Sequence, residues 1–414
     1  MQFRRSSAFA ALNLALLATL TGMIAAQAGG SAPAQGQSAA PAVETAGQSK
    51  EFMNIQILKD IPANQLFPSM QFISASLGVD CSFCHVIEKE HRDFAADDKR
   101  NKKTAREMMT MTMAINKESF AGQQRITCAT CHQGHNQPNP VAPVLDMARW
   151  QERADAEARQ AQLRQQQAAA PAANGQQPAE PPRPTPQAMQ AAAEEVIAKY
   201  TQAIGGEAAI QKLSSLQEKG TMTTPHGDSV SFELQEKAPD KVLMIRTPAN
   251  GQPMSVVYDG TNAAVVMGGQ ASPVHAFELE ALKLDANFFR NMNIKPQYTR
   301  MTSPPFTQKI EGQEVKSVRG LLPNNQGQET LYFDTQSGLL VRRVTVLRTA
   351  LGGVSQQYDY SDYRAVDGVK IPFTVKVSSA ENIQTRKIGE AKFNVPVSDS
   401  AFAPAAKAGA PSGN

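Results

Sequence analysis

The sequence contains two copies of a short cysteine–histidine motif, Cys81–His85 (CSFCH) and Cys128–His132 (CATCH). Together they use all four cysteines of the 414-residue chain, so none remains for a structural disulfide. This spacing is typical of covalent haem attachment, in which two thiols add to one porphyrin and the adjacent histidine binds its iron. We therefore predict two c-type haems. The predicted haem-binding residues are Cys81, Cys84, Cys128 and Cys131 for the thioethers and His85 and His132 for the iron.

Spacing alone leaves two other interpretations of these cysteines open. A Cys₄ zinc site would join the two motifs, and a thioredoxin-like thiol pair would use one of them. Repetition of the complete motif, together with an export signal, favours haem over zinc. No βαβ pattern surrounds either motif, which argues against the thioredoxin-like pair.

The composition is that of an ordinary globular protein. It is 41% hydrophobic and 19% charged, with a formal net charge of +3. These values exclude a polybasic nucleic-acid-binding protein and a polytopic membrane protein, so no nucleic-acid partner is expected. The 27 glycines and 26 prolines indicate linkers and turns.

The first 28 residues have the pattern of an export signal. Arg4 and Arg5 supply the positive end, Ala8–Leu20 is mostly apolar, and Ala26–Ala28 offers small residues for cleavage. The apolar run is shorter than the roughly 20 residues of a membrane-spanning helix. We expect a cleaved signal and a periplasmic protein; an uncleaved membrane anchor is the alternative. Paired thiols in that oxidising compartment would normally form disulfides unless another group occupied them.

Changes in composition divide the chain into six predicted segments. Stretches rich in Ala, Gly, Gln and Pro are too polar to fold and separate two compact regions. The predicted segments are 1–28 (signal peptide), 29–50 (disordered tether), 51–145 (dihaem cytochrome c domain), 146–186 (Ala/Gln/Pro-rich linker), 187–404 (β domain) and 405–414 (tail). The fold class is an α + β multidomain protein, with a small, mainly helical first domain.

Periodicity predicts which elements carry the motifs. Leu66, Met70, Ile73 and Leu77 recur at helical spacing, and Gly78 is placed to end that helix. A second helix is predicted over Thr104–Asn116. Its apolar side would carry Ala105, Met108, Met111, Thr112 and Ile115. Each helix leads towards one attachment motif.

In the second domain, a helix over Met189–Ile204 precedes a series of strands. Val230–Leu234 and Phe373–Val377 alternate apolar and polar residues, as half-buried strands do. Asp334–Gly338 and Asp367–Gly368 have the composition of turns between strands. The pattern predicts an antiparallel sheet.

The sixth iron ligand decides what each haem can do. Met70 lies eleven residues before Cys81 on the apolar stripe of its helix and is a candidate ligand of the first haem; the alternative is a core methionine. Met108 and Met111 are candidates for the second haem, and spacing does not separate them from Met109 or Met113.

The remaining histidines offer no better ligand. His135 follows His132 too closely to reach the opposite face of the same ring. His91 is expected to be exposed and unligated, and His226 and His275 are assigned no role.

The first domain resembles the cytochrome c subunit of photosynthetic reaction centres, specifically its later half. The resembling stretches are Asn54–Lys59, Gln71–Val79, Cys81–His85, the helix residues Ala105, Arg106, Met108, Met111, Ile115 and Asn116, and Thr127–Gly134. The resemblance implies an electron-carrying cytochrome with Met70 as sixth ligand of the first haem. The family's subunit has four haems, and its earlier half supplies the distal histidine of the last one. The resemblance therefore implies no sixth ligand for the second haem.

The second domain is similar to outer-membrane lipoprotein-sorting proteins. The matching stretches are Gly206–Ala209, Ala238–Lys241, Tyr258–Gly260, Leu331–Arg342, Tyr360–Arg364 and Asp367–Val369. This similarity implies a half-open antiparallel β-barrel with a helix capping an apolar concavity. The aromatic residue expected soon after Tyr258–Gly260 is absent, since Ala263 and Ala264 stand there.

The leading hypothesis is a periplasmic dihaem electron carrier and not an enzyme. Its expected partners are redox donor and acceptor proteins, among them a membrane reaction-centre complex, with lipid or envelope contact through the β domain. Two alternatives belong to other classes. One is a peroxidase-type haem enzyme with one open iron site; the other is a lipid- or lipoprotein-binding protein whose haem domain senses redox state.

Overall fold

The structure is a computed structural model. It describes residues 44–50, 52–88, 92–140, 150–151, 154, 157–158, 161, 184–223, 227–249, 251–274, 276–325, 327–379 and 383–403. The predicted signal peptide, most of the tether and linker, and the predicted tail lie outside these residues, as do His91, His226 and His275. Among the described helices, none is both long enough and apolar enough to cross a membrane.

Three helices surround the two attachment motifs. They are α1 (Leu66–Leu77), α2 (Arg100–Ser119) and α3 (Cys128–His132). A two-stranded ribbon of β1 (Val86–Ile87) and β2 (Arg92–Asp93) follows the first motif. The predicted α1 is confirmed, and Gly78 ends it in the left-handed conformation, with φ 65°. The second helix is longer than predicted.

The predicted apolar side of α2 is only partly correct: Ala105, Thr112 and Ile115 are half-buried, but Met108 and Met111 are exposed. Met108 and Met111 are 37% and 46% exposed, whereas the buried residues of α2 are Lys102, Met109 and Asn116, spaced by seven. A hydrophobic pattern misses this side because two of its three residues are polar. Lys102 and Asn116 are buried because their side chains hydrogen-bond to the loops beside α2.

The second region is one antiparallel sheet of fourteen strands. The first six are β3 (Ser215–Thr223), β4 (Ser229–Lys237), β5 (Lys241–Pro248), β6 (Met254–Tyr258), β7 (Ala263–Met267) and β8 (Gln270–Pro273). The next four are β9 (Arg300–Thr302), β10 (Gln308–Ile310), β11 (Gln313–Leu321) and β12 (Gly327–Asp334). The last four are β13 (Leu340–Arg348), β14 (Gly353–Val366), β15 (Val369–Ser378) and β16 (Ile383–Phe393).

Two meanders form this sheet. Strands β3 to β8 pair in sequence, strands β10 to β16 pair in sequence, and β16 pairs with β3 to join the two series; β9 pairs with β11. In the described residues the end strands β8 and β10 do not pair with each other, so the sheet is not closed. The predicted strands and both predicted turns are confirmed.

Helices cover one face of the sheet. They are α4 (Pro186–Ala203), α5 (Glu207–Ile210) and α6 (Ala276–Asp285). Helix α4 begins at the Thr185 N-cap and buries Ala193, Ile197 and Tyr200 against the sheet. This is the capping helix that the sequence predicts, with its start three residues earlier.

The covered interior is not purely apolar. Glu329 and Arg343 are fully buried beneath the helices. Glu329 Oε1 accepts hydrogen bonds of 2.6 Å from both Arg290 Nη2 and Thr345 Oγ1, and Arg343 Nη1 lies 3.6 Å from Glu329 Oε2. The two arginines hold the pKa of Glu329 below its usual value despite burial, which by itself raises it. The apolar concavity that the resemblance implies is therefore crossed by a buried ion network.

The turn between β13 and β14 packs against the haem-motif helices. Leu351 is buried in the same cluster as Phe72 of α1, and Gln124 Nε2 donates a 2.8 Å hydrogen bond to Ala350 O. Thr349 Oγ1 accepts from the backbone N–H groups of Leu351 and Gly352, each at 3.1 Å, and so shapes the turn. This turn completes the small core around α1.

Gly352 should tolerate no side chain, because a Cβ there would lie 2.3 Å from Phe72 Cζ. We expect Gly352→Ala to lower the free energy of unfolding by about 1–3 kcal/mol, the usual cost of overpacking a core. Chemical denaturation measures the change. Gly389→Ala is the matched control, since a Cβ at Gly389 meets only Lys219 O at 3.6 Å. Equal losses in the two variants would contradict the packing role of Gly352.

Candidate haem-attachment sites

The first motif follows directly from the end of α1. Its first three residues, Cys81–Phe83, form one 3-10 turn, capped by the Asp80 side chain, which accepts from Ser82 N at 2.8 Å. The Ser82 hydrogen bonds lower the pKa of Asp80 and keep it charged. The beginning of α2 holds the same turn from the other side. Asn101 Nδ2 donates to Phe83 O at 3.1 Å, and Lys99 Nζ donates to Ser82 O.

The second motif is itself the short helix α3, and it is held by the end of α2. Asn116 Oδ1 accepts from Arg125 N and Ile126 N, both at 2.9 Å, and Asn116 Nδ2 donates to Ile126 O at 2.7 Å. One buried amide thus satisfies three backbone groups of the loop that leads into Cys128. Helix α2 therefore positions both motifs, the first from its beginning and the second from its end.

The end of α1 also contacts the second motif. Gly134 N donates to Ser76 O at 2.8 Å. A Cβ on Gly78 would lie 2.1 Å from Gly134 O, so only glycine fits this contact. Gly78 thus ends α1 three residues before Cys81. Because it has no side chain, it also allows the backbone of Gly134 to approach the end of α1.

The two motif histidines are oriented in the same way. His85 Nδ1 lies 3.0 Å from Phe94 O, and His132 Nδ1 lies 2.9 Å from His135 O. A backbone carbonyl can only accept a hydrogen bond, so each Nδ1 must carry the proton and donate it. In the neutral form of each ring, Nε2 then has the lone pair that can bind a metal. The Phe94 ring, 5.2 Å from His85 in an edge contact, further fixes the first imidazole.

Burial tunes the motif side chains. It lowers the pKa of His85, and nearby Lys102 lowers it further, so the ring stays neutral as a metal ligand requires. Burial also raises the pKa of the Cys84 and Cys128 thiols. Both cysteines are partly buried, and no disulfide joins the four cysteines, all of which are described.

The methionines proposed as sixth ligands lie on two helices. Met70 is partly buried on α1 and packs against the cluster that also includes Met109 and Cys128. Met108 and Met111 share the exposed side of α2, one turn apart, while Met113 is 48% exposed elsewhere on the same helix. The structure thus places Met109 in the core and leaves Met108 and Met111 accessible to a group packed on α2.

These residues fit a covalently bound haem. Each motif has two thiols and one imidazole in the tautomer that binds iron. Within the described ranges, no three histidine, cysteine, aspartate or glutamate side chains converge in a way that would hold a bare metal ion. Two thiols and one imidazole at each motif fit a porphyrin-bound iron, for which the ring would supply the other nitrogen ligands.

Residues 19–183 match the photosynthetic reaction centre cytochrome C subunit family. The resemblance seen in the sequence is confirmed. Cytochrome c-554 of Chloroflexus aurantiacus is 33% identical over 93 residues, which are 21% of this chain and 21% of that protein. The chain thus spans about a fifth of the length of this curated relative.

Several solved structures are similar to about half of the chain. A DUF1329 family protein from Desulfovibrio piger is 14% identical and covers 52% of this chain and 97% of its own, with a TM-score of 0.39. A LolA superfamily protein from Nitrosomonas europaea is 11% identical and covers 51% and 97%, with a TM-score of 0.37. A domain assigned to outer membrane lipoprotein-sorting proteins, from Vibrio parahaemolyticus, gives the same values.

Sequence reasoning missed the residues that support the cytochrome-like motifs. Phe94 and His135 accept these hydrogen bonds with their backbone carbonyls. Every residue has such a carbonyl, so the sequence does not identify these two. Lys102 and Asn116 are polar residues buried in a helix that the sequence predicts to be amphipathic. The two polar residues are fourteen apart, with the apolar Met109 midway between them, so an apolar periodicity does not reveal this side of α2.

Asn116→Ala should loosen the second motif, because it leaves Arg125 N, Ile126 N and Ile126 O without their partner. We expect a loss of about 2–4 kcal/mol in the free energy of unfolding, since each unsatisfied buried backbone group costs about 1–3 kcal/mol. Urea denaturation measures it. Asn101→Ala removes one exposed bond at the first motif and should cost less than about 1 kcal/mol. If the two variants lose equal stability, the Asn116 amide does not hold the loop.

Proposed function

We propose that this protein is a c-type cytochrome that carries electrons through two covalently bound haems in the periplasm. The proposal is carried by the hydrogen bonds of the two motif histidines. In each, Nδ1 donates to a backbone carbonyl, which leaves Nε2 to bind iron. The match to the reaction-centre cytochrome family supports electron transfer as the activity. The amino-terminal export pattern supports the location.

When bound, each haem supplies a one-electron couple at its iron. The chain supplies attachment and orientation. Cys81 and Cys84 would hold the first haem, and Cys128 and Cys131 the second. His85 and His132 would each present Nε2 to iron, and the carbonyls behind them prevent the rings from turning. The packed core around α1 keeps the motifs in place, so little rearrangement would accompany a change of charge.

Haem content tests the proposal. We expect two haems per chain by pyridine haemochrome assay and by intact mass after expression with a c-type maturation system. Cys81→Ala/Cys84→Ala and Cys128→Ala/Cys131→Ala should each retain one covalent haem, because the motifs are separate. A wild-type chain with fewer than two covalent haems would contradict the proposal.

Carbon monoxide distinguishes a carrier from the peroxidase-type alternative. A carrier whose two irons both have six ligands should show little carbon monoxide binding in the reduced state, whereas an open iron site binds it readily.

Retention of labelled acyl lipid by the purified full chain would favour the lipid-binding alternative. Amino-terminal sequencing of the periplasmic fraction, with a start after Ala28, tests export.

Met70 is proposed as the sixth ligand of the first haem. Met70→Ala should lower the midpoint potential of one haem and leave the other nearly unchanged, because thioether ligation raises the potential of a haem. A redox titration with optical and spin-resonance detection measures both haems and their axial ligands together. Met53→Ala is the control, since Met53 is 72% exposed in the same region. An unchanged titration of Met70→Ala would remove Met70 from the iron.

The second haem's sixth ligand is proposed to come from the exposed side of α2, with Met108 and Met111 as the two candidates.

The partners are proposed to be a redox donor and an acceptor, among them a membrane reaction-centre complex of the kind named by the matching family. The β domain is proposed to hold the carrier at an envelope surface or partner. The turn at Leu351 would link the two regions mechanically.

A further inference from the structure

A buried ammonium group lies directly behind the first motif histidine. Lys102, on α2, is 8% exposed. Its Nζ donates to Phe94 O at 2.9 Å, to Ala95 O at 2.9 Å and to Ala96 O at 2.7 Å. Phe94 O is also the acceptor of the His85 Nδ1–H bond, at 3.0 Å. One carbonyl oxygen therefore joins the lysine charge to the ligand imidazole.

Lys102 brings a positive charge to this site as well as hydrogen bonds for the loop. A buried lysine charge is costly unless it is fully hydrogen-bonded, and three neutral carbonyls could have been satisfied by an uncharged donor. Asp97 Oδ1 lies 3.2 Å from Lys102 Nζ and 2.9 Å from Arg106 Nη1, so one carboxylate faces two cations. The hydrogen bond from the Asn54 side chain, together with these two cations, lowers the pKa of Asp97 to about 2. The group of Lys102, Asp97 and Arg106 thus keeps a net positive charge beside His85.

The second motif has a different environment. The carbonyl that accepts from His132 Nδ1 belongs to His135, which is exposed. Among the residues that the structure describes, no lysine or arginine donates to that carbonyl. The second site therefore serves as an internal reference within the same chain.

We propose that Lys102 is a positioning residue that raises the reduction potential of the first haem through the Phe94 carbonyl. This inference rests on the proposed function. A carbonyl that already accepts from an ammonium group accepts less strongly from His85 Nδ1–H. The imidazole then donates less electron density to iron, since hydrogen bonding by the second nitrogen is what increases ligand basicity. The nearby positive charge acts in the same direction, because reduction removes one positive charge from the iron.

Lys102→Met tests the proposal in the full-length haem-loaded protein. We expect the reduction equilibrium of the first haem to shift about tenfold towards the oxidised form, which corresponds to ~59 mV for one electron. The second haem should remain within its wild-type range. Lys102→Arg keeps the positive charge and the donor groups, so the midpoint potential of the first haem should stay close to the wild-type value. Spectroelectrochemical titration measures both haems in each variant.

Asp97→Asn separates an electrostatic role from a structural one. Removing this carboxylate leaves Lys102 and Arg106 without their shared counter-charge, so the first haem should shift to higher potential, opposite to Lys102→Met. Disruption of the 94–97 loop would move the two variants in the same direction. The ¹⁵N shift of His85 Nδ1 in the reduced protein provides a second readout, which should change in Lys102→Met and not in Lys102→Arg.

The outcomes are distinct from those of the proposed function. Two haems per chain with opposite shifts in Lys102→Met and Asp97→Asn would support the role of Lys102. Two haems per chain with an unchanged first potential in Lys102→Met, or with shifts of the same sign, would overturn it and leave the cytochrome assignment intact. Loss of the first haem from the wild type would contradict the proposed function and this inference together.

Discussion

The hydrogen bond from the motif histidine to a backbone carbonyl is the interaction on which the rest of the arrangement depends. Imidazole has two nitrogens, and only the one without a proton can bind iron. At both motifs the carbonyl determines which nitrogen that is. The carbonyls must therefore be placed as accurately as the histidines, and the surrounding loops exist to place them. The Phe94 carbonyl is held by Lys102 of α2, and the His135 carbonyl follows Gly134, which is bonded to α1.

This dependence explains why the two helices α1 and α2 control so much of the first region. Helix α1 is apolar on its buried side, and Phe72 and Ile73 anchor it in the small core. Helix α2 is mostly polar, and its burial is achieved through hydrogen bonds rather than through apolar area. A chain segment of this size buries little apolar surface by itself. The turn of the large sheet at Leu351 adds to that core, which gives the β domain a structural part in the haem region.

Sequence patterns correctly predicted α1 and its end at Gly78, the antiparallel sheet, and a helix over Met189–Ile204. Those features depend on local composition and periodicity, which a single sequence displays directly. The buried side of α2 was not predicted, since Lys102 and Asn116 are polar and their partners lie in loops. The charged interior around Glu329 was missed for a related reason. Strands β11 to β13 alternate as ordinary half-buried strands, and the periodicity does not show that an inward-facing arginine and glutamate meet across them.

Two motifs with the same cysteines and histidine can still differ in reduction potential within one chain. Both supply two thiols and one imidazole, so the first ligands alone predict equal potentials. The difference lies one bond further out, where a buried ammonium shares the Phe94 carbonyl at the first motif and an exposed loop carbonyl serves at the second. If both motifs bind haem as proposed, changes at this distance would leave attachment intact, because they would alter no thioether and no iron ligand. Potential can therefore vary between the two sites through α2 and its loops while the motifs themselves stay the same.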